Sequence, residues 1–341
     1  MSRKTFKKIT TSEEFIEKIN PQNKKLIKLF IQDKNRKCSD ATIKGYTSDL
    51  NIFFCWALNE CENKFFPDIK KYELSNFFSY CIDELQWNGK RFARMRSVLS
   101  SLSECVIKYF DEEYPTFRNI INAVIEAVPK EAVREKTVLS DQDVQKLLDW
   151  LSEKNQADAC LLALAVYSGS RISELEQFRI DTIDENNLSF GGLFLETTHK
   201  IRGKGFGKNG SQIYKHIIKD LFLPYYNNYL EYRKEIIENT KSESNMLFLQ
   251  KDGVPATVTT FNSWKRKWEK YLKSDLYFHN YRHFFTTMLV KQKMSKEVIM
   301  AIVSWKSDIV GIYDDTEEKN RDWSNDLEKL SLLLDNKKGD E

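Results

Sequence analysis

Apolar residues recur at helical spacing through most of this chain, and no other feature limits its fold more. The pattern runs through residues 23–128 in stretches such as ATIKGYTSDLNIFFCWALNE. It predicts four helices there and a fifth, short one over residues 117–128. Ser39 and Asp40 precede one of these runs and predict the start of a helix. Twelve Gly and six Pro in 341 residues also favour helices over a turn-rich all-β fold.

The chain is long enough for two domains, each with its own core. Residues 128–140, VPKEAVREKTVLS, are charged and lack periodicity, which is typical of a linker. The next stretch, LSDQDVQKLLDWL, contains Ser140 as a predicted N-cap and Asp143 three residues on, close to a capping box. We therefore predict a basic segment (1–22), a helical domain (23–128), a linker (129–139) and a second domain (140–341).

The second domain changes character along its length. ADACLLALAVYS is apolar almost all round and predicts a core helix, after which Ser-Gly-Ser breaks the pattern and Arg171 begins a new helix. Further on, the β-prone runs LFLETT and IYKHII flank a turn rich in Gly and Lys, and predict a small antiparallel sheet. The remaining pattern is helical. The predicted fold class is mainly α: a helical domain plus a mixed α+β domain with a small antiparallel sheet.

Charge and cysteine content narrow the class of protein only slightly. The net charge is +3, but residues 1–50 carry twelve Lys or Arg against six Asp or Glu. Such a segment suits contact with a polyanion, and a solvated basic arm explains it equally well. The six cysteines lack metal-ligand spacing and predict reduced thiols. With neither a signal peptide nor an apolar run of membrane length, we expect a cytoplasmic protein without a membrane partner.

The stretch HNYRHFFTTML places two basic side chains among aromatic residues. His279 and Arg282 are three residues apart and share one helix face, where a buried cation requires an anionic partner. Arg171 follows the Ser-Gly-Ser break, Lys204 lies in a glycine-rich turn, and Tyr313 lies in IVGIYDD. Two converging arginines suit a phosphate, and a nearby tyrosine offers a nucleophile, so the set suits attack on a phosphodiester. Taken singly, each residue has a structural explanation, such as a salt bridge or a packed core group.

The order of these motifs, SGSRISEL, a hairpin lysine, HNYRH and a final tyrosine, resembles the tyrosine recombinase family, also called phage integrases. The resemblance covers nearly the whole chain. SDATIKGYTSDLNIFFCW resembles the start of the family's helical, SAM-like core DNA-binding domain. Residues 136–336 resemble its catalytic domain, which has the DNA breaking-rejoining enzyme fold.

The resemblance implies a role for each matching residue. Arg171 and Arg282 would clamp the scissile phosphate and stabilise charge in the pentacoordinate transition state. Tyr313 would attack phosphorus to give a 3′-phosphotyrosyl link and a free 5′-hydroxyl. Lys204 would protonate the departing 5′-oxygen, and His279 would serve in proton transfer or hold the phosphate.

Other positions match the family pattern less directly. Glu174 matches an acidic residue that orients its neighbours, and Trp305 stands where many members have histidine. Indole N–H can still donate there to a phosphate oxygen. Lys200, Lys204 and Lys208 all lie near the turn, and we prefer Lys204 because it lies between glycines. The chemistry implied by the family conserves bond energy and requires neither ATP nor a metal.

The resemblance identifies the missing anion as a phosphate of double-stranded DNA. Several first-domain side chains are predicted groove contacts: Lys44, Tyr46, Arg91, Arg94 and Arg96. The three arginines are equally explained as a solvated helix face. Because the expected substrate is DNA, we expect the protein to associate with the nucleoid.

The C-terminal stretch predicts self-association. Trp323, Leu327, Leu330 and Leu334 form a stripe at helical spacing, which either caps its own domain or docks elsewhere. In the family this helix docks on a neighbouring subunit, and four protomers surround two duplexes. A monomer in free solution, a tetramer on DNA and accessory DNA-bending proteins are therefore expected.

Four functions compete on the sequence alone. The first is a site-specific recombinase, the integrase of a phage or integrative element. The second is a non-catalytic DNA-binding or architectural protein on the same fold, which would need no nucleophile. The third is a type IB topoisomerase, which shares the phosphotyrosyl chemistry. The fourth is a protein that binds no DNA, in which these charged residues form a salt-bridge network within the core.

Overall fold

The chain folds into two compact units, each with its own hydrophobic core. The computed structural model describes residues 8–127, 139–205, 207–292 and 294–304, together with Glu328. The main boundary between the units falls between residues 135 and 136.

All regular secondary structure in the described part of the first unit is helical. Its helices are α1 (Glu13–Lys18), α2 (Pro21–Asn35), α3 (Asp40–Glu60), α4 (Lys71–Asp83), α5 (Gly89–Tyr109) and α6 (Ile121–Val124). The predicted start of α3 is confirmed, since the Ser39 hydroxyl accepts a hydrogen bond from the Thr42 N–H at 3.4 Å. Helix α1 was not predicted. Glu13 and Glu14 begin it and Lys18 ends it, an arrangement that complements the helix dipole in a stretch with little periodicity.

Aromatic rings fill the core of this unit. Phe53 packs edge-to-face against Phe54, Phe66 and Phe77, with ring centroids 5.0 to 5.8 Å apart. The buried Asn23 ties α2 to the chain after α3. Its side chain donates to the Lys64 carbonyl at 2.8 Å and accepts from the Phe66 N–H at 2.9 Å.

The second unit is built around one buried helix. Its helices are α7 (Asp141–Lys154), α8 (Gln156–Ser168), α9 (Ile172–Leu175), α10 (Lys219–Thr240), α11 (Val258–Leu272), α12 (Phe278–Lys291) and α13 (Lys296–Val303). Every residue of α8 after Gln156 is buried, and the helix packs against α7, α10 and α12, as its apolar sequence predicts. The capping box at the start of α7 is also confirmed, because Ser140 Oγ accepts from the Asp143 N–H at 3.0 Å.

Within the described residues of the second unit, five short strands form two sheets rather than the single sheet predicted. They are β1 (Leu188–Ser189), β2 (Phe194–Glu196), β3 (Ile201–Gly203), β4 (Ser211–Ile213) and β5 (His216–Ile218). The three-stranded sheet has the order β1-β2-β5, and β3 pairs with β4, all antiparallel. The run IYKHII therefore divides between two sheets. Lys215 lies at the division, where its N–H donates to Thr197 Oγ1 at 3.1 Å and its carbonyl accepts from the Thr197 N–H at 3.0 Å.

Candidate functional site

A left-handed turn at the end of α8 leads to the first predicted site residue, Arg171. Gly169 has φ +58°, and a Cβ added there would lie 2.6 Å from the Phe285 ring of α12. The hydroxyls of Ser168 and Ser170 flank the glycine, are fully buried, and lie 2.7 Å apart. Glycine is required both by the backbone conformation and by the close approach of α12. The turn delivers Arg171 to the start of α9.

Arg171 is held by the carboxylate of Glu174. One carboxylate oxygen accepts from Arg171 Nη1 at 2.7 Å and the other accepts from its backbone N–H at 2.9 Å. The Glu174 side chain is fully buried, whereas that of Arg171 is 30% exposed. Burial, the largest single influence, would raise the pKa of Glu174, but the positive charge of Lys215 and then the Arg171 contacts together lower it. The carboxylate thus fixes a guanidinium that solvent can still reach.

Arg282 approaches from α12 and is almost completely buried, with 3% of its surface exposed. Its guanidinium donates to the Gly169 carbonyl at 2.8 Å and to the Val303 carbonyl at 3.2 Å. Burial, and then the positive charge of Arg171, lower the pKa of Arg282 to about 10. The structure therefore brings the two predicted arginines together.

His279 lies one turn before Arg282 on α12, as the HNYRH motif predicts. It is exposed, and its ring meets the His283 ring edge-on at 4.5 Å. Partial burial is the main cause that lowers the pKa of His279, followed by the positive charges of His283, Arg282, Arg171 and Lys204. A neutral imidazole at neutral pH can accept a proton.

The position of Lys204 distinguishes it from Lys200. Lys204 is exposed directly after β3, where its carbonyl accepts from Ser211 Oγ at 2.9 Å, and its charge acts on His279. Lys200 instead places its ammonium 5.5 Å from the centre of the Tyr214 ring. Lys208 lies farther along the turn. The choice of Lys204 over Lys200 and Lys208 stays a prediction from the sequence.

Lys215 belongs to this cluster, and sequence reasoning missed it. Its fully buried ammonium lies 3.4 Å from a Glu174 oxygen. Burial, followed by repulsion from Arg282 and Arg171, outweighs the attraction of Glu174 and lowers the pKa of Lys215 to about 8. The only signal in IYKHII was spacing, because Lys215 stands two residues from each of the buried Ile213 and Ile217; His216 and Ile218 are buried as well, so burial along this run does not alternate.

Two predicted site residues, Trp305 and Tyr313, lie outside the described residues, as does the apolar stripe from Trp323 to Leu334. In the parts of the chain that the structure describes, no group of three or more His, Cys, Asp or Glu side chains could hold a metal ion. All six cysteines are free. None of the helices within the described ranges is long and apolar enough to cross a membrane.

Three of the five predicted DNA-contacting residues of the first unit, Arg91, Arg94 and Arg96, form hydrogen bonds with internal partners. Buried Asp49 accepts from Arg91 and, at 2.7 Å, from Arg94 Nε. Arg96 donates to a backbone carbonyl of residue 122 at 3.1 Å. Arg94 is nevertheless 49% exposed.

The two remaining predicted contacts lie on α3. Lys44 is exposed there, near the half-buried Thr47 and Asn51. Tyr46 is half-buried and packs edge-on against Phe30, with ring centroids 5.6 Å apart. Lys44 thus remains accessible to an outside partner, whereas Tyr46 presents only part of its ring.

The second unit carries a family signature. A family model described as the phage integrase family matches residues 137–319. The chain belongs to the phage integrase family. A tyrosine recombinase of Pseudothermotoga lettingae is 26% identical to it over 275 residues, which are 79% of this chain and 84% of that protein. The predicted family is confirmed.

Solved structures of integrases have the same fold. A lambda integrase dimer bound to a COC′ core site is 17% identical, with a TM-score of 0.60 over 86% of this chain and 97% of that one. The Tn1549 transposon integrase in complex with circular intermediate DNA is 15% identical, with a TM-score of 0.58 over 87% and 99%. The likeness confirms the predicted mainly helical fold class, with two small antiparallel sheets in place of the single predicted one.

Proposed function

We propose that this phage integrase family member is a site-specific DNA recombinase that cleaves and rejoins DNA through a 3′-phosphotyrosyl link at Tyr313. The observation that carries the proposal is that the buried Arg282 guanidinium donates to the Gly169 carbonyl at 2.8 Å, two residues before Arg171, which brings the two arginines together. Two guanidinium groups gathered in this way favour an anion between them. A backbone phosphate fits, because guanidinium matches its oxygens bidentately.

The residues of the predicted site suit the steps of strand cleavage. Arg171 and Arg282 stabilise the charge that develops on the phosphate oxygens. The phenol oxygen of Tyr313 bonds to phosphorus as its proton passes to the neutral imidazole of His279. The bond from phosphorus to the 5′-oxygen breaks, and Lys204 gives that oxygen a proton. Rejoining reverses these transfers when a 5′-hydroxyl attacks the phosphotyrosyl link, so the bond energy is conserved and ATP is not consumed.

Double-stranded DNA is the proposed substrate. The structural neighbours are described as complexes with DNA, which supports this assignment. In the first unit, exposed Lys44 and half-exposed Arg94 suit contacts to DNA phosphates, and Asp49 would hold Arg94 in place for such a contact. The affinity for DNA should then fall as salt concentration rises.

The biological setting is proposed from the same resemblance. Likeness to the lambda and Tn1549 integrases supports an integrase of a phage or integrative element. Assembly of four protomers on paired sites remains a prediction from the family and from the C-terminal apolar stripe.

Trapping the covalent intermediate tests the proposed function. The full chain would be incubated with nicked duplexes taken from the DNA that flanks its gene, including any direct repeats, and separated on a denaturing gel. Wild type should give a protein–DNA adduct and Tyr313→Phe should give none, because the variant lacks the attacking oxygen. Tyr72→Phe is the matched control, since Tyr72 is a surface tyrosine, 58% exposed, in the first unit.

Each contrary result indicates a different function. DNA binding by wild type without any adduct would indicate the non-catalytic DNA-binding protein. An adduct that persists in Tyr313→Phe would place the nucleophile elsewhere. Adducts and plasmid relaxation that do not depend on sequence would indicate the type IB topoisomerase activity.

A further inference from the structure

The buried lysine beside Glu174 lies in an energetically costly place. Lys215 is fully buried, and its ammonium makes no hydrogen bond within the described part of the chain. The 3.4 Å separation from Glu174 is an ion pair but long for a charged hydrogen bond. Removing an ammonium from water costs several kcal/mol even when it is paired. Packing alone would be served better by an apolar residue of the same length.

The contacts of Glu174 connect this ammonium to the predicted phosphate clamp. One oxygen of Glu174 accepts from the Arg171 side chain, and the other both accepts from the Arg171 backbone N–H and faces Lys215. Lys215 is thus on the buried side of the carboxylate and Arg171 is on its partly exposed side. A cation on the buried side opposes rotation or withdrawal of the carboxylate toward the solvent.

Direct participation in proton transfer does not suit Lys215. Its side chain has no exposed surface, so its ammonium cannot reach a leaving oxygen on DNA. Lys204, by contrast, is exposed and acts electrostatically on His279. The two lysines therefore have different positions and different tasks.

Resting on the proposed recombinase function, we propose that Lys215 is a positioning residue. Its ammonium fixes the Glu174 carboxylate and, through it, the orientation in which the Arg171 guanidinium meets the scissile phosphate. The effect belongs to the transition state more than to binding, because DNA affinity is distributed over many phosphate contacts.

Single-turnover cleavage of the nicked duplex at saturating protein tests this role, with DNA affinity measured separately. Lys215→Met, which keeps the length but removes the charge, should cleave about 100-fold more slowly, since a misplacement of about 1 Å has that effect. Its dissociation constant for DNA should stay within about 3-fold of wild type. Lys219→Met, a half-buried lysine at the start of α10, is the matched control and should cleave at the wild-type rate.

A double-mutant cycle separates positioning from a general loss of structure. If Lys215 acts through Glu174, Lys215→Met combined with Glu174→Gln should be no slower than Glu174→Gln alone. Rate losses that multiply would overturn the proposal, and so would equal losses of rate and affinity. Lys215→Gln is measured in parallel as a second neutral variant. Failure of both neutral variants to fold would also overturn the proposal, because the ammonium would then serve the fold.

The failure of this inference is distinguishable from failure of the proposed function. If wild type forms no adduct that depends on Tyr313, the recombinase assignment fails. If wild type forms that adduct and Lys215→Met cleaves at the same rate, only the positioning role fails.

Discussion

Replacement of Gly169 by alanine should destabilise the second unit more than replacement of a left-handed glycine ordinarily does. Two separate costs are visible in the structure. The backbone has φ +58°, and the new Cβ would lie 2.6 Å from the Phe285 ring. An L-residue in the left-handed region costs about 1 to 2 kcal/mol, and overpacking a core costs about 1 to 3 kcal/mol. The free energy of unfolding should therefore fall by about 2 to 5 kcal/mol, a large part of the usual total.

Gly192→Ala provides the control for the backbone cost. Gly192 is in the same unit with φ +89°, but a Cβ there meets nothing closer than Leu188 Cδ1 at 3.9 Å, an ordinary contact. Urea unfolding, followed by circular dichroism, should give a loss of about 1 to 2 kcal/mol for this variant. The difference between the two variants is then the cost of the clash with Phe285.

Shortening Phe285 tests the same clash from the other side. In a double-mutant cycle with Phe285→Leu, the double variant should be more stable than the sum of the single losses predicts, by about 1 kcal/mol or more. The reasoning is refuted if Gly169→Ala costs no more than Gly192→Ala, or if the cycle is additive. Either result would mean that α12 does not press on the turn.

Two further predictions concern stability. Asn23→Ala should cost about 2 to 4 kcal/mol in urea unfolding, because it leaves the Lys64 carbonyl and the buried Phe66 N–H without their partner; a loss below about 0.5 kcal/mol would contradict this. The second concerns the dependence of stability on pH. Burial lowers the pKa of His216 from 6.5 to about 3. Between these pH values the unfolded chain therefore binds a proton that the folded chain does not. The contribution of neutral His216 to the free energy of unfolding is fully present above pH 6.5. It is lost as pH falls toward 3, by up to about 1.4 kcal/mol per pH unit. His216→Gln should show a smaller loss of stability between pH 6.5 and 4 than wild type, and parallel curves would contradict the assignment.

Much of the local structure is predictable because its causes are local. The cap at Ser140 depends on residues three positions apart, and the core helix α8 shows its burial in a run that is apolar on all sides. The shared face of His279 and Arg282 follows from helix geometry alone.

The sequence was less informative where one short run pairs with two different strands. IYKHII has the composition of one strand, but β4 pairs with β3 and β5 pairs with β2. Pairing is decided by strands that are distant in sequence, so strand propensity could not locate the break at Lys215. The same limit explains why Lys200, Lys204 and Lys208 could not be separated from their spacing.

By itself, the sequence determined the helical class, the helix starts at Ser39 and Ser140, and the identities of the residues that match the phage integrases. These depend on periodicity, capping and motif order, all of which are written along the chain. Only the tertiary structure decided that Arg282 reaches the turn before Arg171, and that Lys215 lies buried behind Glu174. Electrostatic coupling depends on distance and burial, and both are set by how the helices and sheets of the second unit pack together.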